Sequence, residues 1–403
     1  MRSLTQLYRI GVGPSASHTL GPRRAADAFK ARQSEADSYR VTLYGSLAAT
    51  GKGHLTDVAL REAFAPVEIE IIWKPDKVLS FHPNGMDFEA LDKSGNVINR
   101  WRVFSIGGGA LREEGQDDPR ETVYGLSTME EIIQWTENTS KTIWQYVEER
   151  EGDAIWAHLK EVWDVMQAAI ERGLNTVGPL PGILRLPRKA QSYYSKTKWC
   201  SSQLKRSGLL SAYALAVSEE NAAGGVVATA PTCGSCGVLP SVLRYVKEIH
   251  KSSDTDVLQA LATAGIVGNL AKHNASISGA EVGCQGEIGT ACAMASAAAA
   301  QMMGGTPRQI EYAAEMGIEH HLGLTCDPVA GLVQIPCIER NAFAATRALD
   351  CAEFALLSDG IHRVSFDDAI LTMKQTGKDL RHMYRETSAG GLAVTYRLQP
   401  PLV

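Results

Sequence analysis

The hydrophobic pattern of this chain changes period once, near residue 111, and that change divides it into two kinds of structure. Before it, Val67, Ile69 and Ile71 alternate with Glu68 and Glu70, the period-2 signature of a strand with one wet face. Val41 and Leu43 repeat the alternation, and residues 25–32 read as a short helix. Asn84-Gly85 and Ser94-Gly95-Asn96 carry hairpin-turn chemistry. After the change, Ile155, Leu159, Val162, Trp163, Met166 and Ile170 fall on one stripe of a helix that Gly173 closes. Ser127-x-x-Glu130 resembles a capping box. Residues 257–272 and 291–303 are further helices, so rich in Ala and Gly that their axes can approach closely. Between the halves, 111–126 is charged and bears Gly and Pro, and is the expected linker. The expectation is an α+β protein. A small α/β domain spans 1–110, and a larger all-α domain over 127–403 holds functional loops between packed helices.

With 403 residues, 44% hydrophobic and 21% charged, the chain has the composition of a globular protein with a sizeable core. A net charge of −5 gives no reason to expect a nucleic acid partner. The opening "MRSLTQLYRIGVGPSAS" lacks the apolar run of an export signal. No stretch offers the roughly 18 apolar residues of a membrane span. A cytoplasmic protein with reduced thiols is expected. All eight cysteines lie between positions 200 and 351, which favours metal or cluster chemistry over a disulfide framework.

Two of those cysteines lie in "GLTCDPVAGLVQIPCIERNA", where Pro328, Gly331 and Pro336 break any long helix. Cys326 and Cys337 are either small buried hydrophobes or ligands. Cys284 lies in "SGAEVGCQGEIG", whose glycines permit close backbone approach to a bulky group. Cys292 and Cys351 sit within helices and Cys200 follows Trp199, so these read as core or incidental. Cys233-x-x-Cys236 stands alone, which makes a structural zinc site a weak reading. Three loop thiolates without a fourth partner suit a cubane iron–sulfur cluster with one iron open as a Lewis acid.

The first half carries its own candidates. "GPSASHTLGP" places Ser15, Ser17, Thr19 and His18 at a helix start, where backbone amides suit a carboxylate or phosphate; the plainer alternative is a helix cap with a surface histidine. His54 lies on a second Gly-rich loop, "TGKGHLTD". Two histidines on loops of one domain are candidates for acid–base work. "GSLAATGKG" is a near miss for a phosphate-binding loop, with the wrong spacing and Gly53 in place of the hydroxyl residue.

Seven stretches together resemble the single-chain iron–sulfur L-serine dehydratases: "GPSASHTLGP", "YGSLAATGKGHLTD", "SIGGGA", "NAAGGVVATAPT", "SGAEVGCQGEIG", "LGLTCDPVAGLVQIPCIERNA" and "TGKDLRHMYRETSAGGLA". The resemblance runs in order along nearly the whole chain. It implies a [4Fe–4S] cluster on Cys284, Cys326 and Cys337, and conversion of L-serine to pyruvate and ammonia without pyridoxal phosphate. It implies His18 and His54 near the substrate, Ser105 and Thr232 lining the pocket, and a homodimer. Other readings are the same chemistry on L-threonine or L-cysteine, or a non-catalytic amino-acid-sensing or redox module. Two departures stand out. The tail "AVTYRLQPPLV" lacks the cysteine that caps the fourth iron in family members, and Cys233 stands where the pattern has asparagine. Cys233, with Cys236 behind it, is therefore the candidate cap; the alternative is that it only fills asparagine's space.

Overall fold

The computed structural model describes residues 1–115 and 122–396. The chain starts within the helical half. Leu4, Leu7 and Tyr8 are buried in the helical core, and strand β1 (Ile10–Val12) pairs antiparallel with Val226–Ala228, the last strand among the described residues. Among the described residues the larger domain has no strand outside this ribbon.

The small domain is a five-stranded sheet. Its strands are β2 (Ser38–Tyr44), β3 (Ile69–Lys74), β4 (Gly85–Leu91), β5 (Val97–Ser105) and β6 (Leu111–Arg112), in the order β3-β2-β4-β5-β6. The β2–β3 pair is parallel, joined through the helices Gly45–Thr50 and Thr56–Phe64; the other pairs are antiparallel. Phe29, Leu60 and Phe64 from two helices pack on Tyr39, Val41 and Phe88, so one face of the sheet is covered. The Ser94-Gly95-Asn96 turn links β4 to β5, with Asp92 Oδ1 accepting the Ser94 and Asn96 amides and Gly95 at φ +79°. Asn84-Gly85 is not a hairpin turn. Gly85 opens β4, because β3 and β4 flank β2 on opposite sides and cannot be joined by a tight turn. Leu111 and Arg112 of the expected linker belong to the sheet, and residues 116–121 lie outside the described part, as do 397–403 of the tail.

In the helical domain, the capping box falls one residue later than expected: Thr128 caps Met129–Thr139 and Glu131 closes the box. The side-chain geometry favours it, since Thr128 is extended and its hydroxyl meets the Glu131 amide. The predicted stripe lies on Ala154–Asn175, but Gly173 does not end that helix. A Cβ there would overlap the Ala216 backbone, so Gly173 serves a close helix crossing. The Ala-rich helix Thr290–Met302 is buried on every side at the centre, and Gly317 lets a neighbouring helix rest directly on Ala293. No helix among the described residues is long and apolar enough to cross a membrane.

Candidate active site at the domain junction

Three cysteines arrive from three irregular segments. Cys284 precedes a single wide π-turn, Gln285–Gly289, that feeds the central helix. Cys326 lies in extended chain, its amide donating to the Tyr384 carbonyl and its carbonyl accepting from the Glu386 amide. Cys337 is the first residue of the helix Cys337–Leu356, where the helix dipole favours a thiolate. All three are free, and Cys284 and Cys326 are buried. Cys284, Cys326 and Glu287 present ligand atoms within 4.8 Å of one another. Arg340, one turn into Cys337–Leu356, acts electrostatically on all three cysteines and is tied down by the Thr325 carbonyl at 2.7 Å. Asn341 pins the same helix to the 234–237 turn through the Gly234 carbonyl and the Gly237 amide.

The charge balance is telling. The Cys326 thiol hydrogen-bonds Cys284 and, helped by Arg340, brings Cys284 down to about 6 against the opposing push of burial. Cys326 is pushed up by Cys284, and Cys337 is pushed up by burial. Burial and Cys284 raise Glu287 to about 8. Clustered buried thiols with one guanidinium beside them have too little positive charge to be three thiolates unaided. Soft sulfur donors of this kind fit a metal or iron–sulfur group that supplies the missing charge.

The histidines meet at the edge of the small domain. His18 lies on a second π-turn, Ala16–Leu20, and turns of this kind recur at functional sites. The two rings lie edge to face, 4.5 Å apart, and both are buried. Each loop clamps the other: Thr19 Oγ1 donates to the His54 carbonyl at 2.6 Å, and Thr56 Oγ1 donates to the His18 carbonyl at 2.5 Å. Ser15 caps the His18 amide, and Ser17 Oγ sits 2.8 Å from His18 Nδ1. The hydroxyls expected to meet substrate are thus engaged in holding the histidines. Thr232 donates to Glu287 Oε1 at 2.7 Å, on the cysteine side. Ser105 Oγ is buried without a hydrogen-bond partner among the described residues, packed against Gly21 at the start of Gly21–Arg32.

Tautomers follow from the donors. Ser46 Oγ donates to the Glu386 carbonyl at 2.7 Å, so it accepts from His18 Nε2 at 3.0 Å. Thr50 Oγ1 donates to the Ser46 carbonyl, so it accepts from His54 Nδ1 at 3.2 Å. His54 Nε2 is then the unprotonated nitrogen, and it makes no hydrogen bond among the described residues. Burial lowers His54 to about 3 and, with the neighbouring His54, holds His18 well below the usual imidazole range. Both rings are neutral at neutral pH.

Two carboxyls and one glycine join the halves. Glu386 Oε1 lies 3.4 Å from His18 Nδ1, and burial followed by Glu287 raises its carboxyl well above the carboxylate range. A Cβ on Gly279 would stand 3.0 Å from Glu287 Oε2, 3.1 Å from Cys326 Sγ and 3.3 Å from Glu386 Oε2. A Cβ on Gly53, beside His54, would overlap the Gly331 carbonyl in the cysteine loop. Leu55, Ala330, Glu386 and Ser388, all around this centre, hold left-handed backbone, strain of about 1–3 kcal/mol each that surrounding structure must impose. Glu287, Ser46 and Glu386 were not singled out from sequence. The signal for Glu287 and Glu386 was their place in the quoted "CQGEIG" and "RETSAGG" stretches.

A cysteine trio, two of its members buried, and a neutral histidine pair at a domain junction define a two-domain enzyme with a metal-competent centre. The family model described as serine dehydratase alpha chain matches residues 116–393, and that described as serine dehydratase beta chain matches 3–65 and 61–116. The chain is 42% identical to the L-serine dehydratase of Streptomyces coelicolor, covering 97% of this chain and 98% of that one. It is 40% identical to the L-serine dehydratase of Haemophilus influenzae and to L-serine dehydratase 1 of Escherichia coli, covering 98% of this chain and 99% of each. The chain belongs to the serine dehydratase family, with its alpha- and beta-type domains in one polypeptide.

Proposed function

We propose that this protein is a lyase that deaminates L-serine to pyruvate and ammonia, with a [4Fe–4S] cluster on Cys284, Cys326 and Cys337 and no pyridoxal phosphate. The observation that carries the reading is the contact of the His54 loop with the cysteine loop at Gly53 and Gly331. It sets the loop that carries His54 against the loop that carries Cys326 and Cys337.

A cluster held by three cysteines, when bound, supplies a Lewis acid for the leaving hydroxyl. The chain supplies the rest. His54 Nε2, the ring nitrogen that the Thr50 contact leaves unprotonated, takes the Cα proton. His18 holds its own proton on Nε2 toward Ser46 and lies edge-on to His54, fixing that ring. Thr19 fixes the His54 backbone. Glu287 and Glu386, both raised by burial, offer carboxyls to the substrate's ammonium and hydroxyl. Docking of the two domains excludes water from the centre. Aminoacrylate then leaves, tautomerises and hydrolyses. Ser15 and Ser17 act by positioning His18, while Thr232 acts through Glu287 and Ser105 through the start of Gly21–Arg32. Cys233 is buried and, in this reading, fills asparagine's space, its thiol pushed up to about 12 by burial and then Glu287. By family resemblance alone, the protein is a cytoplasmic homodimer, which light scattering would check.

The test is anaerobic reconstitution followed by a serine-to-pyruvate assay on the wild type, His54→Ala and His18→Ala. A brown, air-sensitive wild type that forms pyruvate, with His54→Ala inactive, supports the reading. A colourless protein without pyruvate formation, or a fully active His54→Ala, overturns it.

A further inference from the structure

We infer that His18, His54 and Glu386 form a cation site, distinct from the cysteine trio, for a divalent transition ion of the zinc type, and that an ion held there inhibits the enzyme. The three side chains come from separate parts of the chain, and all are buried. Each offers one ligand atom, and the three atoms lie within 4.8 Å of one another. His18 Nδ1 stands 3.4 Å from Glu386 Oε1. Two ligand atoms bound to one tetrahedral zinc, each at about 2.0–2.1 Å, stand about 3.4 Å apart, so this pair is already at coordination spacing. Two imidazoles with one carboxylate are a known zinc donor set, whereas the thiols suit softer chemistry.

The hydrogen bonds around the three ligands point to an ion independently of the spacing. Ser46 Oγ accepts from His18 Nε2 and Thr50 Oγ1 accepts from His54 Nδ1, which leaves a lone pair on His18 Nδ1 and on His54 Nε2. Metal-bound histidines have this arrangement: one ring nitrogen ligates while the other donates to a fixed oxygen. Both oxygens are fixed here, Ser46 by donating to the Glu386 carbonyl and Thr50 by donating to the Ser46 carbonyl. The same short chain of bonds therefore holds all three ligands. Glu386 is 5% exposed, and its Oε2 is buried with no hydrogen-bond partner among the described residues. A buried carboxyl oxygen without a donor is costly, and a bound cation relieves it.

The Ser17 hydroxyl, 2.8 Å from His18 Nδ1, turns away when an ion takes that nitrogen. Coordination uses the carboxylate form of Glu386 and releases any proton it carries. The inhibition rests on the reading of His54 as the base. An ion on His54 Nε2 occupies the lone pair that takes the Cα proton, so it stops turnover while the cysteines keep their own group.

Zinc chloride titrated calorimetrically into the anaerobically reconstituted holoenzyme tests this. Saturable binding of one equivalent per chain is expected, with iron content unchanged. Affinity should fall at least about tenfold in Glu386→Gln and in His54→Gln, since losing even an outer hydrogen-bond partner of a ligand costs that much. X-ray absorption at the zinc edge of the wild type needs no variant. Nitrogen and oxygen neighbours at about 2.0–2.1 Å are expected, and no sulfur at about 2.3 Å. Zinc–sulfur scattering, iron loss that matches zinc uptake, absence of saturable binding, or unchanged affinity in the folded variants overturns the site. These measurements use no serine, so they decide the site whether or not His54 is the base. Saturating zinc should in addition stop pyruvate formation; turnover that persists in the zinc-loaded enzyme overturns the inhibition.

Discussion

Gly53 of the small domain and Gly331 of the cysteine loop meet backbone to backbone, so closely that a methyl group on Gly53 would overlap the Gly331 carbonyl oxygen. The histidine loop and the cysteine loop are therefore held in one register by the absence of a side chain at Gly53. Gly53→Ala should separate the loops while leaving both folded. Displacement of about 1 Å in such a centre costs about a hundredfold in rate. We expect that loss in pyruvate formation, with iron content and circular dichroism unchanged.

The histidines fix the pH behaviour. His54 is lowered to about 3 and His18 is also lowered, in both cases first by burial. Turnover should show no imidazole limb near pH 6.5. Stability behaves differently. In the unfolded chain these residues take up protons near pH 6.5, whereas in the fold they stay neutral. Their contribution is fully present above about 6.5 and is lost as pH falls toward 3. Urea unfolding followed from pH 7 to 5 should show that decline. In His54→Gln the slope should be shallower by about one proton, or about 1.4 kcal/mol per pH unit.

Ser46 is the single hydroxyl between His18 Nε2 and the Glu386 carbonyl. Ser46→Ala strips a buried donor and a buried acceptor of their partner, a loss of about 1–3 kcal/mol. Turnover should fall about tenfold, with the cluster retained, because both the ring and the segment beside Cys326 lose their anchor. Unchanged kinetics in Ser46→Ala would remove that hydroxyl from the positioning of His18.

The cysteines divide by environment. Cys284→Ser, Cys326→Ser and Cys337→Ser should each lose the visible absorbance of the reconstituted protein and its activity. Cys233→Ser should keep the resting spectrum, since burial and Glu287 act on the Cys233 thiol whereas the Arg340 guanidinium acts on the other three. Iron chelation should abolish turnover in the wild type. A resting spectrum altered by Cys233→Ser would restore that thiol as the cap.

The two-domain architecture and the reactive side chains could be read from the sequence because both leave local marks. A change of hydrophobic period shows in any window, and cysteines and histidines on Gly- and Pro-bearing loops are conspicuous. What escaped was set by distant chain. Whether Asn84-Gly85 turns a hairpin depends on which strand lies beside β2, a fact of sheet order. Glu386 looks like one acid among many; its role comes from the pairing of its amide with the Cys326 carbonyl and from His18 at 3.4 Å. Gly173 had the residue type of a helix end, and only the crossing at Ala216 shows why it sits inside one.

The ribbon of β1 with Val226–Ala228 means the helical body is built from two separated pieces of chain, with the sheet domain inserted between them. A polypeptide starting at the helical half would expose the groove of Leu4, Leu7 and Tyr8 and an unpaired strand edge. The opening dozen residues are thus a detachable wedge of the larger body. Splitting the chain in the linker should give halves that associate by strand exchange, the sheet domain delivering its own docking peg.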